Sequence, residues 1–168
     1  MKISYDRALA LAVISTAFVL ATSCKKGNSG NTNGGINASL SGSAWATTFP
    51  TEGFYLPGAG QFEITGVQYK GGDSTVFTLW FGVPFTLNKA MNSGPANNLD
   101  IYYLNEKTAV TFDGGTKAGW ATLTVTSYDS TNRKIGGVFN GVVYDISTGS
   151  GDSLVITNGS FSSSYNLQ

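Results

Sequence analysis

The chain has 168 residues, 41% hydrophobic and 12% charged, with ten basic and ten acidic side chains, one cysteine and no histidine. Lacking histidine, it has no Ser-His-Asp or Cys-His catalysis, no imidazole-ligated zinc and no histidine pH switch. A lone cysteine allows no internal disulfide, and the scattered Lys and Arg residues argue against a nucleic-acid surface.

Residues 1–7 carry Lys2 and Arg7 against Asp6, residues 8–20 are almost wholly apolar, and the small residues Ala21-Thr22-Ser23 precede Cys24. A charged start, a short apolar core and small residues before a cut point predict a secretory signal over residues 1–23. The apolar run falls short of the roughly 20 residues a membrane-spanning helix needs. Leu20-Ala21-Thr22-Ser23-Cys24 resembles the lipobox of bacterial lipoproteins, with Ala21 standing where that family favours Leu. The resemblance implies a diacylglycerol on the Cys24 thiol and cleavage just before it. The following Lys25-Lys26 is similar to lipoproteins of Bacteroidetes-type bacteria. Each buried methylene contributes about 0.8 kcal/mol, so two or three acyl chains hold a protein durably on a membrane it does not span.

Residues 24–37 then read as the acylated cysteine and a flexible Gly/Asn/Ser linker, "GNSGNTNGG" having no apolar side chain. Surface-exported lipoproteins of these bacteria tend to carry acidic residues after the cysteine, and none occurs over residues 25–37. The expected location is the cell envelope, anchored to the outer membrane, with the periplasmic face favoured.

Residues 38–168 are of one-domain size, enough to bury a core without staples. From Ile36 onward six basic residues face nine acidic ones. Runs rich in Thr, Val, Ile, Phe, Tyr and Trp are separated by Gly, Asn, Asp and Ser. This predicts a single antiparallel all-β domain, a sandwich or a flattened up-and-down barrel of about eight or nine strands. The expected strands are 44–49, 61–70, 75–81, 85–87, 100–104, 109–112, 118–128, 134–146 and 153–161. "YKGGDS", "FDGGTK", "YDSTNRK" and "STGSGDS" read as the turns between them. Residues 53–60 and 88–99 read as irregular loops. Alternation puts Phe77, Leu79 and Phe81 on one face, Ala121, Leu123 and Val125 on another, and Ile135, Phe139 and Val143 on a third.

Gly137-Val138-Phe139 and Val155-Ile156-Thr157-Asn158-Gly159-Ser160-Phe161 resemble the closing hairpin of an uncharacterised family of small Bacteroidetes-type lipoproteins, a domain of unknown function. "INASLSGSAWAT", with Trp45, is similar to the opening strand of that family, and "GWATLTVTSYDSTNRKIGG" to its penultimate hairpin. The likeness implies a fold and a location and carries no activity.

Carboxylates are the remaining acid–base groups. Asp73, Asp113, Asp129 and Asp152 sit in turn sequences, where Asp bonds the local backbone. None has the spacing of a calcium loop, and neither a metal nor a cofactor is expected. Glu52, Glu63, Asp100, Glu106 and Asp145 could pair as a glycosidase does only if the fold brings two of them about 5–10 Å apart across a cleft. Aromatic residues make up 12% of the chain. Trp45, Phe77, Phe81, Phe112, Phe139 and Phe161 read as core. Trp80, Trp120, Tyr102, Tyr103 and Tyr144 are the candidate ligand contacts, a platform for a glycan or an apolar small ligand. The leading expectation is a non-catalytic binding or accessory lipoprotein. A carboxylate-dependent glycan hydrolase and a purely structural envelope protein stand as alternatives.

Overall fold

The computed structural model describes residues 34–94, 98–115 and 120–168. The signal, Cys24 and most of the expected linker lie outside these residues. Every regular element described is a strand: β1 Gly34–Leu40, β2 Ser43–Ala46, β3 Glu52–Leu56, β4 Gln61–Lys70, β5 Asp73–Gly82, β6 Met91–Asn92, β7 Asp100–Asn105, β8 Val110–Asp113, β9 Ala121–Asp129, β10 Lys134–Asp145 and β11 Ser153–Leu167. The all-β reading therefore holds.

Pairing is antiparallel except between β11 and β3, where Tyr165–Leu167 runs parallel to Gly53–Tyr55. The hydrogen-bonded order β3-β4-β5-β7-β8-β10-β11 returns to β3 and closes a circuit. Two short junctions close it, three residue pairs at β11–β3 and two at β8–β10. The result is a flattened barrel with two faces. One is β3-β4-β5-β7-β8. The other is β10 and β11, extended by β9-β6 on one side and β1-β2 on the other. Period-two alternation aims one set of side chains from each face into the space between them. Phe77 on β5 meets Trp45 on β2 and Phe139 on β10, with ring centroids 5.3 Å apart in each case. Phe81 meets Phe161 at 5.8 Å, and Phe62 meets Tyr165 edge-on at 5.0 Å. The expected inward sets on β5, β9 and β10 are all buried.

The two Gly-x-Phe motifs explain how β10 and β11 fit together. Gly137 lies opposite Phe161, and Phe139 lies opposite Gly159. A Cβ on Gly137 would sit 2.7 Å from Cε1 of Phe161, and one on Gly159 would sit 2.6 Å from Cδ2 of Phe139. Each ring thus lies across the other strand's glycine, covering backbone that has no side chain of its own. Beside this pair β11 carries one extra residue against both neighbours. Asn158 takes φ of +53° there, and its N–H donates to Oδ1 of Asn140 at 3.1 Å. The bulge keeps the buried residues on both sides of it, Ile156 and Phe161, facing the core.

Several elements depart from expectation. β1 begins at Gly34, so residues 34–37, read as linker, pair with β11, and Ile36 is fully buried. Residues 53–56, read as the start of a loop, belong to β3. Residues 85–87 are not a strand. Pro84 has no N–H to give a ladder, and Phe85 instead packs on Phe62, Phe81 and Tyr128. The break at 88–99 contains β6, which pairs with β9. β11 continues six residues past its expected end because Ser163 and Tyr165 follow Phe161 on the inward face. "FDGGTK" does not join hairpin partners, since β8 pairs with β7 and β10 rather than with β9.

Candidate functional site

The outward face of β4, β5, β7, β8 and β10 collects most of the expected ligand contacts. One register row runs Glu52, Thr65, Thr78, Tyr102, Asp113, Tyr144. The adjacent row runs Phe54, Glu63, Trp80, Asp100. Residues directly opposite on neighbouring strands share a face, so these side chains form one surface.

Two aromatic pairs stand on it. Trp80 and Tyr102 meet edge-on, with centroids 5.9 Å apart and planes inclined by 64°. Trp120 and Tyr144 are 4.0 Å apart and inclined by 37°. All four are half-buried. Beneath the first pair Thr65 and Thr78 are buried although they lie on the outward face, and their hydroxyls bond each other at 3.1 Å. A hydrophilic pair on an outward face becomes buried only when larger neighbours cover it, and Glu63, Trp80 and Tyr102 surround it here.

Tyr103 does not join this surface. It lies on the inward side, 6.2 Å from Phe77 and 6.1 Å from Phe112. Burial pushes its phenol above the ordinary tyrosine value, while a bond with the Thr75 hydroxyl pulls the other way. Thr75 Oγ1 also accepts the Trp45 indole N–H at 2.8 Å. Adjacent residues on a strand face opposite ways, so only one of Tyr102 and Tyr103 could be outward.

The carboxylates separate by role. Glu63 and Asp100 lie on either side of Trp80 in register. Thr65 Oγ1 donates to Glu63 at 3.4 Å. Gly115 rests against Asp100, so closely that a Cβ there would lie 2.2 Å from its carboxyl carbon. Asp113 acts in its expected turn, accepting the Gly115 N–H at 2.8 Å, and it also sits between Tyr102 and Tyr144. Turn chemistry in the sequence pointed only to the first of these two places. Glu52 is exposed at the start of β3. Glu106 lies in the β7–β8 turn and accepts the Ser74 hydroxyl. Asp145 is inward at the end of β10 and organises the β10–β11 turn. It accepts from the hydroxyls of Thr148, Ser150 and Ser147 and from the amides of Ser147 and Thr148. Those donors, the Thr148 hydroxyl foremost, hold its carboxyl well below the usual aspartate range.

A separate pocket of about 290 Å³ is lined by Phe85, Thr86 and Lys89 of the β5–β6 connection, by Met91 on β6 and by Asn98 beyond it. It shares no residue with the aromatic surface. Among the described residues no group of three acidic or cysteine side chains could hold a metal ion. No protein-family model, curated protein or solved structure matches the chain.

Proposed function

We propose that this chain is a lipid-anchored envelope lipoprotein whose β-domain binds a glycan on the outward face of β4, β5, β7, β8 and β10. The observation that carries the binding reading is the pair of half-buried aromatic couples, Trp80–Tyr102 and Trp120–Tyr144, set among Glu63, Asp100 and Asp113 on one sheet surface. Sugar rings present apolar C–H faces and a rim of hydroxyls. Aromatic faces take the first at low entropic cost, and carboxylates accept hydrogen bonds from the second. Binding is favoured over hydrolysis because Trp80 stands between Glu63 and Asp100 in register. A hydrolytic pair must straddle the scissile bond, and here an indole takes the place between them.

The anchor reading rests on the charged start, apolar run and Cys24, together with the lipobox resemblance. It accounts for the one cysteine in the chain, and the Gly/Asn/Ser tract after it gives the domain reach from a bilayer. The resemblance to the uncharacterised Bacteroidetes-type lipoproteins agrees with this location.

Trp fluorescence and glycan binding test the first part. Acrylamide should quench Trp80 and Trp120, a bound glycan should protect them, and Trp80→Ala should weaken binding about tenfold. If the indoles are unreachable and no glycan changes the emission, the binding reading fails. For the anchor, the wild type should partition with membranes and incorporate labelled palmitate. Cys24→Ala should do neither, and an unchanged result in that variant refutes the anchor.

A further inference from the structure

Each aromatic couple places one ring, Tyr102 or Tyr144, on the same register row, and the separation and intervening charge of these two stations constrain what can rest on both. Tyr102, Asp113 and Tyr144 are successive partners across β7, β8 and β10. Neighbouring strands lie about 4.8 Å apart, so Tyr102 and Tyr144 are separated by about 10 Å along the row. That is about the span of a disaccharide unit in an extended chain, so successive sugars of such a chain can rest on the two stations.

We infer that the ligand is an extended, non-anionic oligosaccharide that runs across the strands and occupies both stations at once. This rests on the glycan-binding reading above and specifies the ligand class for the same surface. A chain crossing from Trp80–Tyr102 to Trp120–Tyr144 carries a sugar over Asp113. An ionised carboxylate offers about four acceptor sites, and the Gly115 N–H uses one of them. The remaining capacity suits hydroxyl or ammonium donors. A uronate or sulfate at that position would meet Asp113, with Glu63 and Asp100 on the adjacent row, and like charges at such range repel. No lysine or arginine stands in either register row.

The test is binding of the full-length protein, solubilised in detergent, to an array of neutral, amino and uronate oligosaccharides graded from disaccharide to hexasaccharide. Affinity should rise at least about tenfold with length in the neutral or amino series, because two aromatic contacts replace one. Uronate chains should bind at least about tenfold more weakly than neutral chains of equal length. Trp80→Ala or Tyr144→Ala should each reduce hexasaccharide affinity to the disaccharide level. Asp113→Asn should raise uronate binding relative to neutral binding, a gain that misfolding cannot produce. Length-independent affinity, or a preference for uronates, overturns the inference while leaving the platform reading in place. Failure to bind any glycan on the array overturns both.

Discussion

Replacing Gly137 by alanine tests the packing that joins β10 to β11. The added Cβ would lie 2.3 Å from the Thr124 carbonyl oxygen and 2.7 Å from the Phe161 ring. Ordinary contact needs about 1 Å more than either, so something must move. The ring can turn, but the carbonyl belongs to β9, whose neighbouring residues Leu123 and Val125 are fully buried. Shifting that strand disturbs the core, which puts the cost at the upper end of the ~1–3 kcal/mol of overpacking. The alanine recovers about 0.4–1 kcal/mol by restricting the unfolded chain. The net loss is about 2 kcal/mol, or roughly 6–10 °C in Tm for a domain of this size. Thermal unfolding followed by circular dichroism reads it directly. Gly58→Ala is the control, since no atom lies within 4 Å of its Cβ position, and it should be neutral or slightly stabilising. Adding Phe161→Ala to Gly137→Ala removes the ring clash but not the carbonyl clash. The double variant should therefore fall short of additivity by at least about 0.5 kcal/mol. A Gly137→Ala protein as stable as the Gly58→Ala control would refute this account of the Gly-x-Phe pair.

Three further outcomes follow from the described contacts. Trp45→Phe removes the donor of a buried 2.8 Å bond to Thr75 and should cost about 1–2 kcal/mol in urea unfolding, with less than additive loss when Thr75→Val is added. Asp145 titrates lower in the fold than in the unfolded chain, so its stabilisation is complete above about pH 4 and is lost as pH falls from there. Asp145→Asn should flatten that acid limb in a series of melts, and an unchanged limb would contradict the turn's role. Tyr165 is pushed up to about 12, chiefly by burial and then by its hydrogen bond to Tyr128. Its contribution is intact below about pH 10 and is lost as pH rises toward that value, so tyrosinate absorbance should show a late step that Tyr165→Phe removes.

How much of the fold can be read locally depends on where each strand's information lies. β4 matched its expected bounds because the "QFEITGVQYK" sequence alternates and Gly-Gly closes it. β1 carries little such signal. "GGINASL" has the composition of a linker, and Ile36 is strand-forming only because β11 and β2 flank it and Gly66 leaves room for its side chain. A Cβ on Gly66 would come 3.2 Å from Cδ1 of Ile36 and 2.4 Å from Cγ2 of Thr47. The end of β11 is similar. Its inward positions alternate Phe161, Ser163, Tyr165, and the serine interrupts the apolar pattern while its hydroxyl bonds the Thr51 and Ser164 carbonyls. Turn chemistry marks where a strand ends but not which strand it will pair with, and for that reason "FDGGTK" suggested a hairpin where β8 instead bridges to β10.

The same division applies to the candidate surface. The adjacent residues Tyr102 and Tyr103 require that one ring face outward, and the sequence alone leaves either choice open. The neighbouring strands decide it. Tyr103 is paired with Phe77 and Phe112, both on the core side, and Tyr102 with Thr78 and Asp113 on the other. Trp80 follows Leu79 and precedes Phe81, so its outward position was legible from alternation. Trp120 and Tyr144 lie far apart in sequence and meet only because β10 passes from β9 to β8 along one edge. Asp113 acquires its place between two aromatic couples by that same passage. A strand that changes partners midway thus creates a surface that no single segment encodes, and the β8–β10 junction, only two residue pairs long, sets the spacing of the two aromatic stations.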